Sequence, residues 1–424
     1  MSVELTWVRI PPPPHNFGKL YYMWIGIVFF LVLVLPYQGL IPTLDGRHDI
    51  INSLGLGSEV SIHPPVKTIL LQIFVTLFGP NSYTWIGLLF GVAGIVAIYL
   101  LTKLLIKNEM SAVISSLLLA ASGLYVANSL FSMTDFMVAI FVLYSFLFYY
   151  QKKMNWYMVV ASLGVYTKET FLVLPFSILL VSIFQRRLKW QYFFPFILFF
   201  FWIAGLHFFH FSSWNQANFS EFKKYGGFGT VFMNIITLKI FNQYAFGAWL
   251  QMFILNFNWF FWLMAFFQLF FIKWNRKELK LYSSMIVFVF LYIFFVLSFP
   301  TWLIPRYMLP VFPLIYIFLA AQWNNFKVVL VSTFIISLIS LFYSVDPVSN
   351  YFYKEQEVLG QKFYDVPYSG FDGITYNMQF LYYIKQVNQE YSKKEVKDCY
   401  YLFLGLKDDP ELRSIYHFPL KPCR

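Results

Sequence analysis

Residues 20–36 read LYYMWIGIVFFLVLVLP, and residues 37–68 read YQGLIPTLDGRHDIINSLGLGSEVSIHPPVKT. The first stretch carries no charge, and the second gathers Asp45, Arg47, His48, Asp49, Glu59, His63 and Lys67 among turn-forming residues. An uncharged run of this length followed by a polar loop is the signature of a membrane span opening into water. The rest of the chain repeats the alternation. Over 424 residues it is 59% hydrophobic, 23% aromatic and only 12% charged, with a mean hydropathy of +0.61. A soluble fold has no interior large enough for so much apolar surface, whereas a bundle of spans presents it to lipid. The expected fold is therefore an all-α polytopic membrane protein, and its polar loops are the places where aqueous chemistry can occur.

Further apolar runs fall at 84–102, 111–128, 134–150, 156–167, 170–184, 191–211, 247–272, 281–299, 308–322 and 327–344. Segment 66–79 is apolar but short and reads as an interfacial or partly inserted helix leaving the HPP turn. The formal net charge of +11 comes from short basic clusters: Lys103 and Lys107; Lys152 and Lys153; Arg186, Arg187 and Lys189; Lys273, Arg276, Lys277 and Lys280. They occupy alternate loops, the pattern expected of cytoplasmic loops rather than of a nucleic-acid-binding face. With Arg9 and Lys19 ahead of the first span, the N-terminus is expected in the cytoplasm and residues 20–36 as a retained span. About eleven spans follow, with the C-terminus and the loops at 37–67, 129–135, 167–169, 212–245 and 300–307 on the external side.

Composition changes near residue 345, so 1–344 is expected to form the transmembrane domain and 345–424 a small external α/β appendage. The appendage has a helix-like stretch at 375–391 and a strand-like one at 399–406, and it contains the only two cysteines, Cys399 and Cys423. They could pair in an oxidising compartment, which spacing does not settle. There is no internal repeat and no Walker, CxxC or HExxH motif, which argues against a nucleotide-driven pump.

Five features could carry chemistry. Asp45, in PTLDG, can act as a general base near the bilayer surface, or it forms an ordinary Asp-Gly turn; Asp49 and His48 compete for the same role. His63, ahead of Pro64 and Pro65, can meet a phosphate or sugar hydroxyl, or simply begin the next helix. Thr134 and Asp135, in FSMTDF, open a span and either cap it or bind substrate. Lys168 and Glu169, in YTKET, lie between two apolar runs, where charges are expensive unless paired or used. Arg306 and Tyr307, in PRYMLPVFP, sit at a span edge, where Arg306 can hold a phosphate with two bonds or snorkel to the interface.

In this order and on one face, these motifs resemble the GT-C class of integral-membrane glycosyltransferases. The loop Asp, HPP with its apolar helix, TD at a span head, KET and PRYxLPxxP are closest to the protein O-mannosyltransferases and the bacterial lipid A aminoarabinose transferases. The resemblance covers residues 20–340. It implies a sugar donor on a polyprenyl phosphate (undecaprenyl or dolichyl) and transfer to a protein or glycolipid hydroxyl at the external or periplasmic face of the cell membrane. It further implies a catalytic base in the first loop, carried onto Asp45, with Lys168 and Arg306 on the donor phosphate and Asp135 near the acceptor or sugar. Two departures stand out. Gly46 follows Asp45 where many relatives have an acidic residue, so the base stays open between Asp45 and Asp49. Lys67 lies closer to HPP than the lysine of relatives and receives no role.

The expected reaction is a single displacement needing no nucleotide. A divalent cation near Asp45, Asp49 and Asp135 stays open, although no ligand spacing selects one. The alternatives are a lipid-linked sugar transporter or flippase, which would bury charges deep within its spans, and a surface-polysaccharide polymerase or ligase, which would carry a long external loop rich in Arg and His.

Overall fold

The structure, a computed structural model, describes residues 21–38, 64–78, 82–131, 134–208, 233, 236–237, 276–297 and 305–342. Among these the regular elements are helical, with no strand. In chain order they are α1 (Tyr21–Val34), α2 (Val66–Phe78), α3 (Tyr83–Ile106), α4 (Glu109–Ala120), α5 (Gly123–Phe131), α6 (Thr134–Tyr150), α7 (Met154–Val165), α8 (Val173–Phe184), α9 (Phe194–Phe208), α10 (Arg276–Leu297), α11 (Phe312–Ala320) and α12 (Lys327–Phe342). Short 3₁₀ turns at Glu169–Leu172 and Pro305–Met308 complete the frame of the site described below. The apolar runs that predict spans coincide with these helices, and the short segment after HPP is α2. The predicted span at 247–272, the appendage at 345–424 and Asp45, Asp49 and His63 lie outside the described residues.

One prediction needs correction in detail. The run at 111–128 is not a straight helix: α4 and α5 meet at 61°. The break falls at Ala121-Ser122, just before Gly123, where small and polar residues give little resistance to a kink. Taken as one bent span, this pair is apolar enough to cross a membrane; Thr84–Ile106 does so unaided, and the other apolar helices are shorter. Their outer faces carry exposed Trp24, Val32, Leu77, Phe78, Phe200, Phe201 and Val328, a surface suited to lipid.

Helix α6 is the axis of the bundle. Every residue from Thr134 to Leu143 is buried, so it is wrapped on all sides rather than along one stripe. It packs against α3, α7 and the Pro305–Met308 turn. Close approach in the centre depends on a glycine face of α3. The buried Tyr125 hydroxyl donates to the Gly91 carbonyl at 2.6 Å, and a Cβ on Gly94 would collide with that hydroxyl and with Ile140 Cδ1. Tyr125 also meets Phe30 edge-on, with ring centres 5.6 Å apart, which ties α1 to α5.

Three helices end in the same unusual way. Lys107, Lys152 and Arg186 follow α3, α6 and α8 with φ of 59°, 59° and 53°. After α6, the Lys153 amide donates to Phe148 O at 2.9 Å; after α8, the Arg187 amide donates to Ser182 O at 2.8 Å. These bonds satisfy the last carbonyls of each helix in the usual left-handed termination. A side chain in that conformation costs about 1–2 kcal/mol relative to glycine, offset in part by a cation at the negative end of the helix dipole.

Candidate functional site

At the opposite end of α6, four segments distant in sequence converge. The first is the start of α6 itself, where Thr134 and Asp135 stand in the first turn, with Asp135 only 2% exposed. The second is the start of α2. Pro64 and Pro65 deliver the chain to Val66, whose amide donates to Tyr166 O at 3.1 Å and so fastens α2 to the loop after α7. This aims Lys67 inward: it is 2% exposed, and its Nζ donates to Thr134 Oγ1 at 3.2 Å.

The third segment is that loop, residues 166–168. Its backbone is held by Thr167 and Lys168 amides donating to Gly164 O at 3.0 and 3.1 Å, and by the Thr167 hydroxyl donating to Leu163 O at 2.8 Å. The Tyr166 hydroxyl anchors it to Leu198 O on α9 at 3.0 Å. Phe171 packs so closely on Gly164 that a Cβ there would overlap the ring. Lys168, extended at the start of the 3₁₀ turn, therefore has a fixed origin, and its Nζ donates to Asp135 Oδ1 at 2.7 Å.

The fourth segment is the Pro305–Met308 turn. Arg306, 4% exposed, brings its Nε to 3.5 Å from the other Asp135 oxygen, Oδ2. Tyr307 lies under both cations, 4.6 Å from Lys168 Nζ and 5.8 Å from the Arg306 guanidinium carbon to its ring centre. The π-face of the ring adds attraction for both. Burial alone would push the Lys168 ammonium down, but Asp135 at hydrogen-bond distance and Tyr307 outweigh it and hold Lys168 above the ordinary lysine range.

Of the sequence candidates, Asp135, Lys168, Arg306 and Tyr307 thus form one cluster. Glu169 opens the adjoining 3₁₀ turn, half-buried. Thr134 and Asp135 are more than caps, since each accepts a hydrogen bond from a lysine on another segment. Sequence reasoning missed two members. Lys67 was set aside on its spacing from HPP, yet the Val66–Tyr166 bond carries it in. Tyr292 of α10, 1% exposed, lies within electrostatic reach of Asp135 and Tyr307, and nothing in its local sequence marks it. Among the described residues no group of three or more His, Cys, Asp or Glu side chains is placed to hold a metal.

Chemically, two buried cations on one carboxylate, with a third on the adjoining Thr134 hydroxyl, make a preorganised anion site. Charge-assisted bonds to a phosphate oxygen there would be strong, because little water competes.

Residues 62–214 match the family described as dolichyl-phosphate-mannose-protein mannosyltransferase, a stretch that contains Lys67, Asp135 and Lys168. No curated protein matches the sequence. Among solved structures, the chain is similar to ArnT from Cupriavidus metallidurans bound to undecaprenyl phosphate, with a TM-score of 0.56 at 13% identity over 91% of this chain and 84% of that one. A second structure, ArnT from the same organism in the apo state, gives a TM-score of 0.48 at 15% identity over 72% of this chain and 59% of that one. The family match spans residues 62–214, little more than a third of the chain, and the likeness to ArnT is one of all-helical fold.

Proposed function

We propose that the chain transfers a sugar from a polyprenyl-phosphate carrier to a hydroxyl of a protein or glycolipid at the external face of the cell membrane. The observation that carries this reading is the buried cluster at one end of α6 in which Lys168 and Arg306 flank Asp135 and Lys67 bonds the adjoining Thr134. It is supported by the family described for residues 62–214 and by the likeness in fold to an ArnT structure bound to undecaprenyl phosphate. A transporter would need charges spaced along the spans; the charges of this cluster gather at one end.

In the reaction, the acceptor oxygen attacks the anomeric carbon, and the bond from that carbon to the phosphate oxygen breaks. The electron pair leaves with the polyprenyl phosphate. Lys168, Arg306 and Lys67 hold the negative charge that develops on it, an electrostatic role that preorganised donors fill without reorganising. Asp135 positions Lys168 and Arg306, since each of its oxygens already faces one, and Thr134 positions Lys67. The acceptor's proton passes to Asp45 or Asp49 in the first loop, and His63, just before the double proline, meets the phosphate or a sugar hydroxyl.

The test is transfer by purified protein supplied with radiolabelled polyprenyl-phosphate sugars and native membrane extract. Wild type should move label from the carrier into a new product. Lys168→Met should slow transfer by about 10²–10³-fold, as loss of one preorganised donor does elsewhere, and Asp45→Asn should abolish it if Asp45 is the base. Wild-type rates in folded Lys168→Met protein would reject the phosphate assignment.

A further inference from the structure

Helices α6, α7 and α8 each have one end at the site above and the other at a second cluster about 25 Å away, the length of the 17-residue α6. There the chain forms a pinned rim. Gln185 Nε2 donates to Ser283 Oγ at 3.1 Å, Tyr150 OH to Leu281 O at 2.9 Å and Ser284 Oγ to Tyr149 OH at 3.3 Å. The rings of Tyr149, Tyr157 and Tyr192 pack beneath it, with centres 6.0–6.3 Å apart.

The rim is cationic and exposed. Lys152, Lys153, Arg186, Arg187, Lys189 and Lys280 all face outward, and residues 151–153, 185–190 and 280–284 hold no acid. Arg187 lies beside Tyr192. Lys152, Lys153, Arg186, Lys189 and Lys280 make no ion pair among the described residues. Lys103, at the same end of the bundle, differs: its ammonium is bound by Glu109. Holding a chain's orientation requires only basic residues in the loop; it does not require the segments that carry them to be hydrogen-bonded to one another, with Lys152 and Arg186 in left-handed backbone.

The surroundings select the partner. Trp156, Phe184, Leu188, Trp190 and Phe193 are exposed among these cations. A soluble polyanion would leave those apolar groups in water, whereas a lipid offers phosphate to the cations and acyl chain to the aromatics. We propose that this rim binds the headgroup of an anionic phospholipid in the leaflet opposite the candidate active site.

The experiment uses the full chain in bilayer discs made of equal parts phosphatidylglycerol and phosphatidylcholine, with lipid retention after extraction read by native mass spectrometry. Wild type should retain phosphatidylglycerol in preference, and more so at low salt. Lys152→Gly combined with Arg186→Gly removes two charges while easing both left-handed positions, so the melting temperature should hold or rise. Each charge near a membrane surface is worth about five-fold, so this variant should lose roughly 25-fold in retention. Lys103→Gln should match wild type. Equal retention of the two lipids by wild type would overturn the proposal, a result that does not depend on any variant folding. So would undiminished retention by the double variant, or displacement of the lipid by soluble glycerol phosphate, which would mark a site for free phosphate instead.

Discussion

The two ends of α6 use the same residue types to opposite effect. At its N-terminal end, Lys67, Lys168 and Arg306 are buried, Lys168 and Arg306 against the Asp135 carboxylate and Lys67 on the neighbouring Thr134 hydroxyl. Beyond its C-terminal end, the basic residues are exposed, mostly without carboxylate partners among the described residues, and lie beside exposed tryptophans. Cations at the first end have lost their water and depend on geometry; those at the second keep their water and act through number. Mutations should therefore cost stability at one end and change only association at the other.

The largest effect should come from Asp135→Ala. It leaves Lys168 and Arg306 buried without their shared counter-charge, which costs about 3–5 kcal/mol in comparable buried pairs. Thermal unfolding in detergent would read it as a large drop in melting temperature along with loss of transfer. The matching change at the far end, Lys103→Ala, breaks an ion pair whose side chains are 37% and 24% exposed. Exposed pairs are worth about 0–1 kcal/mol, so its melting temperature should barely move. Equal losses for the two variants would break the contrast between the ends.

Next comes the packing that joins the ends. Gly94→Ala should cost about 1–3 kcal/mol, because the new methyl meets Tyr125 and Ile140 in a filled interior. Its unfolding should be less cooperative, with transfer reduced in proportion to folded protein rather than abolished.

The smallest effect concerns pH. The folded Lys168 is held above its unfolded value, so its pairing with Asp135 contributes fully below the unfolded lysine value of about 10.4 and is lost as pH rises through the folded one. Transfer and melting temperature should show no step from Lys168 between neutrality and about pH 10. A titration near neutrality that disappears in Lys168→Met would show that Asp135 does not hold the ammonium.

Much of this was legible in the sequence. Apolar runs are set by local composition, so the described helices fall on the predicted apolar runs, α2 on the short segment after HPP. The break between α4 and α5 was hidden because Ala120-Ala121-Ser122-Gly123 is as compatible with a continuous helix as with a kink, and packing against α1 and α3 takes place on either side of it. Asp135, Lys168, Arg306 and Tyr307 stood out because charges at span edges are costly. Tyr292 did not, being one of 30 tyrosines in the chain. The first-loop residues Asp45, Asp49 and His63 lie outside the described residues, so the base rests on the resemblance alone.

By itself, the sequence determined that the chain is a bundle of membrane helices with its basic loops alternating, since hydropathy and charge act residue by residue. Only the tertiary structure decided which cations lose their water and share a carboxylate. That depends on a backbone bond from Val66 to Tyr166, a ring packed on Gly164 and a turn at Pro305–Met308, contacts between residues up to about 170 positions apart that no local pattern encodes.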